Sequence, residues 1–320
     1  MKRILKIGGS LILLLVIILA VGFIVINNSD IPTYEVEKIE VKVTPTAESI
    51  ERGHKLVSML CASCHKDPAT GKLTGTRMPD APPEFGVVYS PNITQDKKYG
   101  IGEWTDGEIY TLLRTGVKKN GQYAPPYMVK LPHMADEDLH AIIGFLRSGH
   151  KLVAADPTPD KPSEPSFLTK LLCKIEWKPF PFPEKEIQLP DSSETLELGK
   201  YLAHNLDCFV CHSADFKTNN YLEPELSKGY FAGGNKPYNR EGRVVLSSNL
   251  TPHPESGIGK WTKEQFISAV KFGIMENEAP LQYPMLPYSA LEEYEVNAIY
   301  EYLKTIPPID NPVKRSLYDS

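Results

Sequence analysis

The chain has 320 residues, 23% of them charged and 41% apolar, with a formal net charge of −5. That balance supports folded structure over most of the length. It gives no electrostatic basis for nucleic-acid binding, which needs a concentrated positive surface. Four of the five cysteines fall in two short C-x-x-C-H patterns, which is too clustered for a disulfide framework.

The N-terminus is read as a membrane anchor or signal over residues 1–30. Lys2, Arg3 and Lys6 precede an uncharged run from Ile7 to Ile26, about the length that spans a bilayer as a helix. The basic flank predicts a cytoplasmic N-terminus and places the remainder on the other side of the membrane. A cleaved signal peptide would export the remainder equally. The apolar run is long for one, however, and no A-x-A-like site follows it, so an uncleaved anchor is the reading. No cysteine follows the run to take a lipid.

A stalk is expected over 31–46 and a first helical domain over 47–153. "ESIERGHKLVSML" should be a helix leading into Cys61, Thr105 with Glu108 forms a capping box that opens a middle helix, and "DEDLHAIIGFLRS" has the spacing of a last helix. Residues 154–190, with "DPTPDKPSEP" and "KPFPFP", read as an extended, semi-rigid linker. Trp177 and "FLTKLL" within it could pack on a domain surface. A second helical domain is expected over 191–310, again with a helix before Cys208, a capping box at Thr262 and Gln265, and a last helix in "EYEVNAIYEYLKT". Residues 311–320 form a tail. No long alternating run suggests a sheet. The fold class is therefore all-α, with two tandem domains behind an N-terminal transmembrane helix.

The two domains are copies. Asn92, Thr94, Gly100, Trp104, Met128 and Ala141 match Asn249, Thr251, Gly257, Trp261, Met285 and Ala298 at a constant offset of 157. At C-x-x-C-H the offset is 147, so the second copy holds ten more residues before its Asn-x-Thr. The Gly-rich "GYFAGGNKPYNREG" is the expected place for them, as a longer surface loop.

C-x-x-C-H is the attachment pattern for c-type haem. Two thiols add to the haem vinyl groups, and the adjacent imidazole is held against one face of the iron. Cys61, Cys64, Cys208 and Cys211 are then the thioether residues, and His65 and His212 the proximal ligands. A redox C-x-x-C would sit in a βαβ context, and half a zinc site would need two more local ligands. Neither appears here. For the opposite face the first domain offers Met59, Met78, Met128, Met134, His54, His133 and His140. Only Met128 has an equivalent in the repeat, Met285, and both precede the last helix in Pro-containing segments. His/Met ligation closes the iron to substrate and suits electron transfer. Asn92, Thr94, Trp104 and Arg114, with Asn249, Thr251, Trp261 and Lys271, are either propionate partners or helix caps and core. Cys173 has no counterpart and is expected as a free thiol packed under "FLTKLL".

The two domains resemble class I cytochrome c. "NITQDKKYGIGEWTDGEIYTLLRTG" and "NLTPHPESGIGKWTKEQFISAVKFG" are similar to segments of the multihaem cytochrome subunits of bacterial membrane-bound alcohol and gluconate dehydrogenases, and of related mono- and dihaem cytochromes. The resemblance runs from Glu48 to about Ile309. It implies two covalent haem c groups, held through the four cysteines above with His65, Met128, His212 and Met285 as axial ligands. It implies no catalytic residue, and electron transfer on the periplasmic side of the cytoplasmic membrane. The partners would be a dehydrogenase or quinol-oxidising complex and a downstream cytochrome or oxidase. The chain departs from those subunits in having two haem motifs where they typically have three, in its N-terminal anchor, and in a shorter segment before Met128. The alternative is a dihaem redox enzyme, a peroxidase or a thiosulfate-oxidising cytochrome, which would need an open iron or a cysteine ligand.

Overall fold

A computed structural model describes residues 2–78, 81–276 and 279–313, with side chains from residue 6 onward. The basic residues Lys2 and Arg3 have no described side chains, and the tail from residue 314 lies outside the described residues. Helix α1, Lys2–Asn27, carries the apolar run. Within Lys6–Asn27 the most apolar 18 residues have a mean hydropathy of 3.2, and none of them is buried. It is long and apolar enough to cross a membrane. Its last carbonyls are closed by its own polar exit, with Asn28 donating to Ile24 O and Ser29 Oγ to Ile26 O.

The rest is mostly helical because its apolar residues recur at helical spacing between strong caps. In the first unit α2 (Ala47–Leu60) leads into the short helix α3 (Ala62–His65), followed by α4 (Asp106–Thr115) and α5 (Asp136–Leu146). In the second, α7 (Thr195–Asn205), α8 (Cys208–His212), α9 (Lys263–Phe272) and α10 (Glu293–Thr305) repeat that order. Between the two units lies α6 (Phe167–Ile175). The capping boxes expected at Thr105/Glu108 and Thr262/Gln265 both form, and both helices end on a left-handed glycine, Gly116 and Gly273.

In each unit the first and last helices cross at a glycine. A Cβ built on Gly53 would stand 1.9 Å from the Ala141 carbonyl oxygen, and one on Gly199 would stand 1.9 Å from that of Ala298. No other residue permits so close an approach of two backbones. The crossings anchor two apolar cores, one around Leu56, Leu139, Ile142 and Phe145, the other around Leu202, Val296, Ile299 and Leu303. Met59 and Leu60 touch both.

The segments flanking the first unit are not free spacers. In 31–46, Ile31 is buried, Tyr34 N–H donates to Gly121 O, and Val43 N–H donates to Asp106. The segment 154–190 pairs strand β2 (Glu164–Pro165) with β1 (Gly86–Val87) and then forms α6. It goes on to stack Phe182 on Tyr110, with ring centroids 6.3 Å apart. Pro density predicted extension, but Cys173, Phe182 and Ile187 bury apolar surface that an extended linker would leave in water. Cys173 is buried within α6, in a cluster with Ile31 and Tyr123. Burial pushes its thiol up to about 11.

The ten extra residues are also placed differently from expectation. Gly75 N–H donates to His65 O, as Gly233 N–H does to His212 O, and Ile93 N–H donates to Leu73 O, as Leu250 N–H does to Phe231 O. These pairs align Leu73 with Phe231. Seven residues then separate His65 from Leu73, but eighteen separate His212 from Phe231, eleven more, with one fewer from there to Asn249 to leave the net ten. The insertion is in 213–230, ahead of the Gly-rich stretch, whose Phe231 and Ala232 are core. Glycine content marked flexibility, not the site of the added chain.

The insertion helps join the two units. Its Tyr221 carbonyl accepts from His133 Nε2 at 3.0 Å. Tyr201 of α7 donates to Asp138, itself paired with Arg52, and accepts from Ala135 N–H. Lys55 of α2 pairs with Glu295 of α10.

Arg114 is fully buried. It donates to Leu131 O at 2.9 Å and to Asp136 at 2.9 Å, while Tyr110 donates to the same carboxylate. Burial pushes the Asp136 carboxyl up, but bonds from Tyr110, Ile187 N–H and Arg114 outweigh it and hold the group below its ordinary value.

Two outcomes are expected. Gly53→Ala or Gly199→Ala should each destabilise the unit that carries it by about 3 kcal/mol or more in denaturant unfolding, because backbone must move to admit a methyl group. Asp136→Asn should cost about 3–5 kcal/mol at neutral pH, since it strands a buried guanidinium. The folded carboxyl titrates below its unfolded value, so this stabilisation is present at neutral pH and lost on acidification through the lowered pKa. The difference between variant and wild type should therefore shrink below about pH 4.

Candidate functional site

The two C-x-x-C-H segments are held alike. In the first, Cys61 ends α2, and its carbonyl accepts from Cys64 N–H at 3.2 Å and His65 N–H at 2.9 Å. In the second, Asp207 turns the chain with a φ of 57°, a left-handed conformation that Asp tolerates, and α8 starts at Cys208. Each histidine then meets a backbone carbonyl. His65 Nδ1 lies 2.8 Å from Pro91 O, and His212 Nδ1 lies 2.8 Å from Ser248 O. A carbonyl only accepts, so Nδ1 carries the proton and the lone pair is on Nε2. Burial holds both imidazoles below their ordinary pKa, against the raising effect of the carbonyl bond. Ligating histidines are prepared in this way: neutral, tautomer-fixed and oriented by a second-shell acceptor.

The thiols suit attachment better than redox exchange. Burial, with a smaller contribution from Cys64, pushes the Cys61 thiol up to about 12. Burial, with Asp207 and Cys211, does the same for Cys208. A redox C-x-x-C depends on a lowered thiol pKa. Among the described residues no group of three or more His, Cys, Asp or Glu is arranged to hold a metal ion, so neither motif has the further ligands of a tetrahedral zinc site. The donor set fits a haem that brings four equatorial nitrogens of its own.

Met128 and Met285 are half-buried and lie on loops with the same hydrogen bonds. Ala124 N–H donates to Gly116 O and Leu131 N–H to Leu113 O, as Leu281 N–H does to Gly273 O and Tyr288 N–H to Val270 O. Each of these residues is shifted by 157 between units. Met128 packs on the first core. The other candidates have different surroundings. Met134 is buried in the core, His133 joins the units, and His54 stacks on Phe145 with centroids 4.9 Å apart.

The polar repeat residues hold backbone. Asn92 donates to Asp156 O and Thr158 O and accepts from Thr94 N–H and Oγ1, while Asn249 donates to Ile309 O and accepts from Thr251 in the same way. Arg114 and Lys271 donate to Leu131 O and Leu291 O in the methionine loops. Of the two expectations for these side chains, fixing the fold is the one their bonds support. Trp104 and Trp261 are half-buried against the two cores. The carbonyls of Pro91 and Ser248 carried no sequence signal, since any residue has one. Only the match of Pro91 to Ser248 at the 157 offset could have pointed to them.

Residues 50–150 match the family model for cytochrome c. The chain is 28% identical over 281 residues to the cytochrome subunit of a fructose dehydrogenase from Gluconobacter japonicus, an alignment covering 81% of this chain and 53% of that protein. It is 27% identical over 258 residues to the gluconate 2-dehydrogenase cytochrome c subunit of Pantoea cypripedii, covering 77% and 56%. A diheme c-type cytochrome of Cereibacter sphaeroides is 28% identical over 265 residues, covering 78% and 83%. The chain thus spans little more than half the length of the two dehydrogenase subunits. Residues 50–150 form a cytochrome c domain, and the chain is a homologue of the cytochrome c subunits of bacterial dehydrogenases.

Proposed function

We propose that the chain is a membrane-anchored dihaem c-type cytochrome. It would relay electrons on the extracytoplasmic face of the cytoplasmic membrane, between a dehydrogenase or quinol-oxidising complex and a downstream carrier or oxidase. The observation that carries the reading is the twofold Nδ1–H bond to a carbonyl, at His65 and at His212, each directly after a C-x-x-C. In this reading 47–153 and 191–310 are tandem cytochrome c domains. Cys61 and Cys64 hold one haem and Cys208 and Cys211 the other, with His65 and Met128, and His212 and Met285, as the axial pairs. Bound haem supplies a reversible one-electron change at its iron.

The protein's own part is to hold. The bonds to Pro91 O and Ser248 O fix each imidazole as the Nδ1–H tautomer with its Nε2 lone pair available, while burial keeps the ring neutral. The matched backbone bonds of 124–131 and 281–288 hold each methionine segment to the helix before it, and the Gly53 and Gly199 crossings keep the attachment helices against the last helices. The relatives named as dehydrogenase cytochrome subunits support a dehydrogenase as electron donor. Met59 and Leu60, next to Cys61, pack against both cores and so support transfer between the units. Cys173 lies in the α6 cluster and gives no support to a cysteine-ligated enzyme.

Haem stoichiometry tests the count. Pyridine haemochrome analysis of the purified chain should give two haems, falling to one in Cys61→Ala/Cys64→Ala and to one in Cys208→Ala/Cys211→Ala. A single haem in the wild type would refute the dihaem reading. The ligation has its own test. The weak charge-transfer band of methionine-ligated ferric haem should lose about half its intensity in Met128→Ala and about half in Met285→Ala, since each methionine would ligate one of the two haems. The reduced wild type should not bind carbon monoxide. Strong carbon monoxide binding would replace the relay by a centre open to substrate.

A further inference from the structure

Helix α6 has three faces. Thr169 and Cys173 point inward and are fully buried, and Thr169 Oγ1 donates to Phe85 O at 2.8 Å. Ser166 caps the helix and also bonds to Glu84 O. The helix is thus rigidly mounted on the first unit. On the outer side Leu168, Leu171 and Ile175 recur at helical spacing, and Ile175 remains 64% exposed. Lys170 and Lys174 stand at i and i+4 beside the apolar stripe, and Lys178 follows the helix end, its Nζ donating to Lys174 O.

The position of this helix gives those faces meaning. Phe167 packs on Phe23 near the end of α1, with ring centroids 4.7 Å apart, and Lys170 Nζ donates to Asn27 O, the last residue of α1, at 2.6 Å. The apolar stripe therefore continues the uncharged surface of α1 at the point where that helix gives way to the first unit.

We infer that α6 is an interfacial membrane helix, its Leu168–Leu171–Ile175 stripe resting in the boundary layer of an anionic bilayer and the lysines at its flank and end, Lys170, Lys174 and Lys178, lending positive charge at the headgroup level. The inference rests on the anchor reading of α1, and its occupant is lipid. A short helix with a basic flank and an apolar stripe binds at that depth through buried apolar area and attraction to anionic lipid together. Its consequence is orientation. One helix through a membrane leaves a domain free to turn about it, whereas a second contact fixed to that domain holds it in one attitude to the bilayer.

The test uses the full haem-loaded chain in nanodiscs of phosphatidylcholine with phosphatidylglycerol. A nitroxide is placed on Ile175→Cys. Cys173 is buried with a thiol pushed up to about 11 and stays unlabelled, and the C-x-x-C-H thiols are bonded to haem. The label should be relaxed far more by oxygen, which partitions into lipid, than by a water-soluble nickel chelate. That ratio should fall several-fold when phosphatidylglycerol is omitted, and likewise in Lys170→Gln/Lys174→Gln/Lys178→Gln. A label on Lys217→Cys, exposed on the second unit, should show the opposite preference. A position-175 label with the accessibility of the position-217 label would overturn the inference. A label on Ile17→Cys separates the two readings, because oxygen preference there without it at 175 rejects the α6 contact while keeping the anchor. Loss of preference at both rejects the anchor. Shielding from both reagents, with two chains per disc, would assign the stripe to a second copy and so reject lipid. Indifference to lipid charge would reject the role of the lysines.

Discussion

Both units are organised around a contact that leaves no room for a side chain. Where Gly53 meets the carbonyl of Ala141, and Gly199 that of Ala298, two helices approach as closely as backbones allow. The crossing fixes the first helix of each unit against the last. The C-x-x-C-H segment begins where the first helix ends, so its position relative to the core is set by the same contact. The methionine loop is attached from the other side, through its backbone bonds to the middle helix and the glycine that ends it. In the proposed haem sites the two ligands would come from distant parts of the chain, and the crossing fixes the helices between which they stand.

The two copies have diverged in what they do for each other. The insertion at 213–230 supplies the Tyr221 carbonyl that meets His133, and α7 supplies Tyr201 to the Arg52–Asp138 pair. Ion pairs and hydrogen bonds at such a junction contribute less to net stability than to a single relative orientation, because desolvation offsets much of their attraction. The flanking segments have a comparable role on the outer side. The stalk lies across the first unit, and 154–190 returns over it through β2 and α6. The route from α1 to the second unit therefore runs over the surface of the first and not through open solvent.

Much of this was legible because it is local. A capping box is four residues long, a haem motif is five, and helical periodicity shows within a dozen. Thr105/Glu108, Thr262/Gln265 and the last helices are found where those patterns stand. The repeat extended the reach further, since Met128 is one candidate among several until Met285 singles it out. What was not legible depends on partners far apart in the chain. The Pro-rich segment was expected to be extended, and nothing in it announced that Phe182 would stack on Tyr110 or that Ile187 would bond to Asp136. The insertion was misplaced because Gly-rich chain looks like added chain, and the bond from Gly233 to His212 that places it is made only in the fold.

The sequence by itself determined the two C-x-x-C-H patterns, the repeat spacing, the helix starts and the apolar length of α1, because motif, spacing and capping are properties of neighbouring residues. Only the tertiary structure decided which carbonyls hold the histidines, that Asn92, Asn249, Arg114 and Lys271 bond to backbone, and that Cys173 is packed beneath a helix at the exit of α1. The reason is that hydrogen-bond acceptors on the main chain are identical at every residue. Which one a side chain meets is chosen by packing alone.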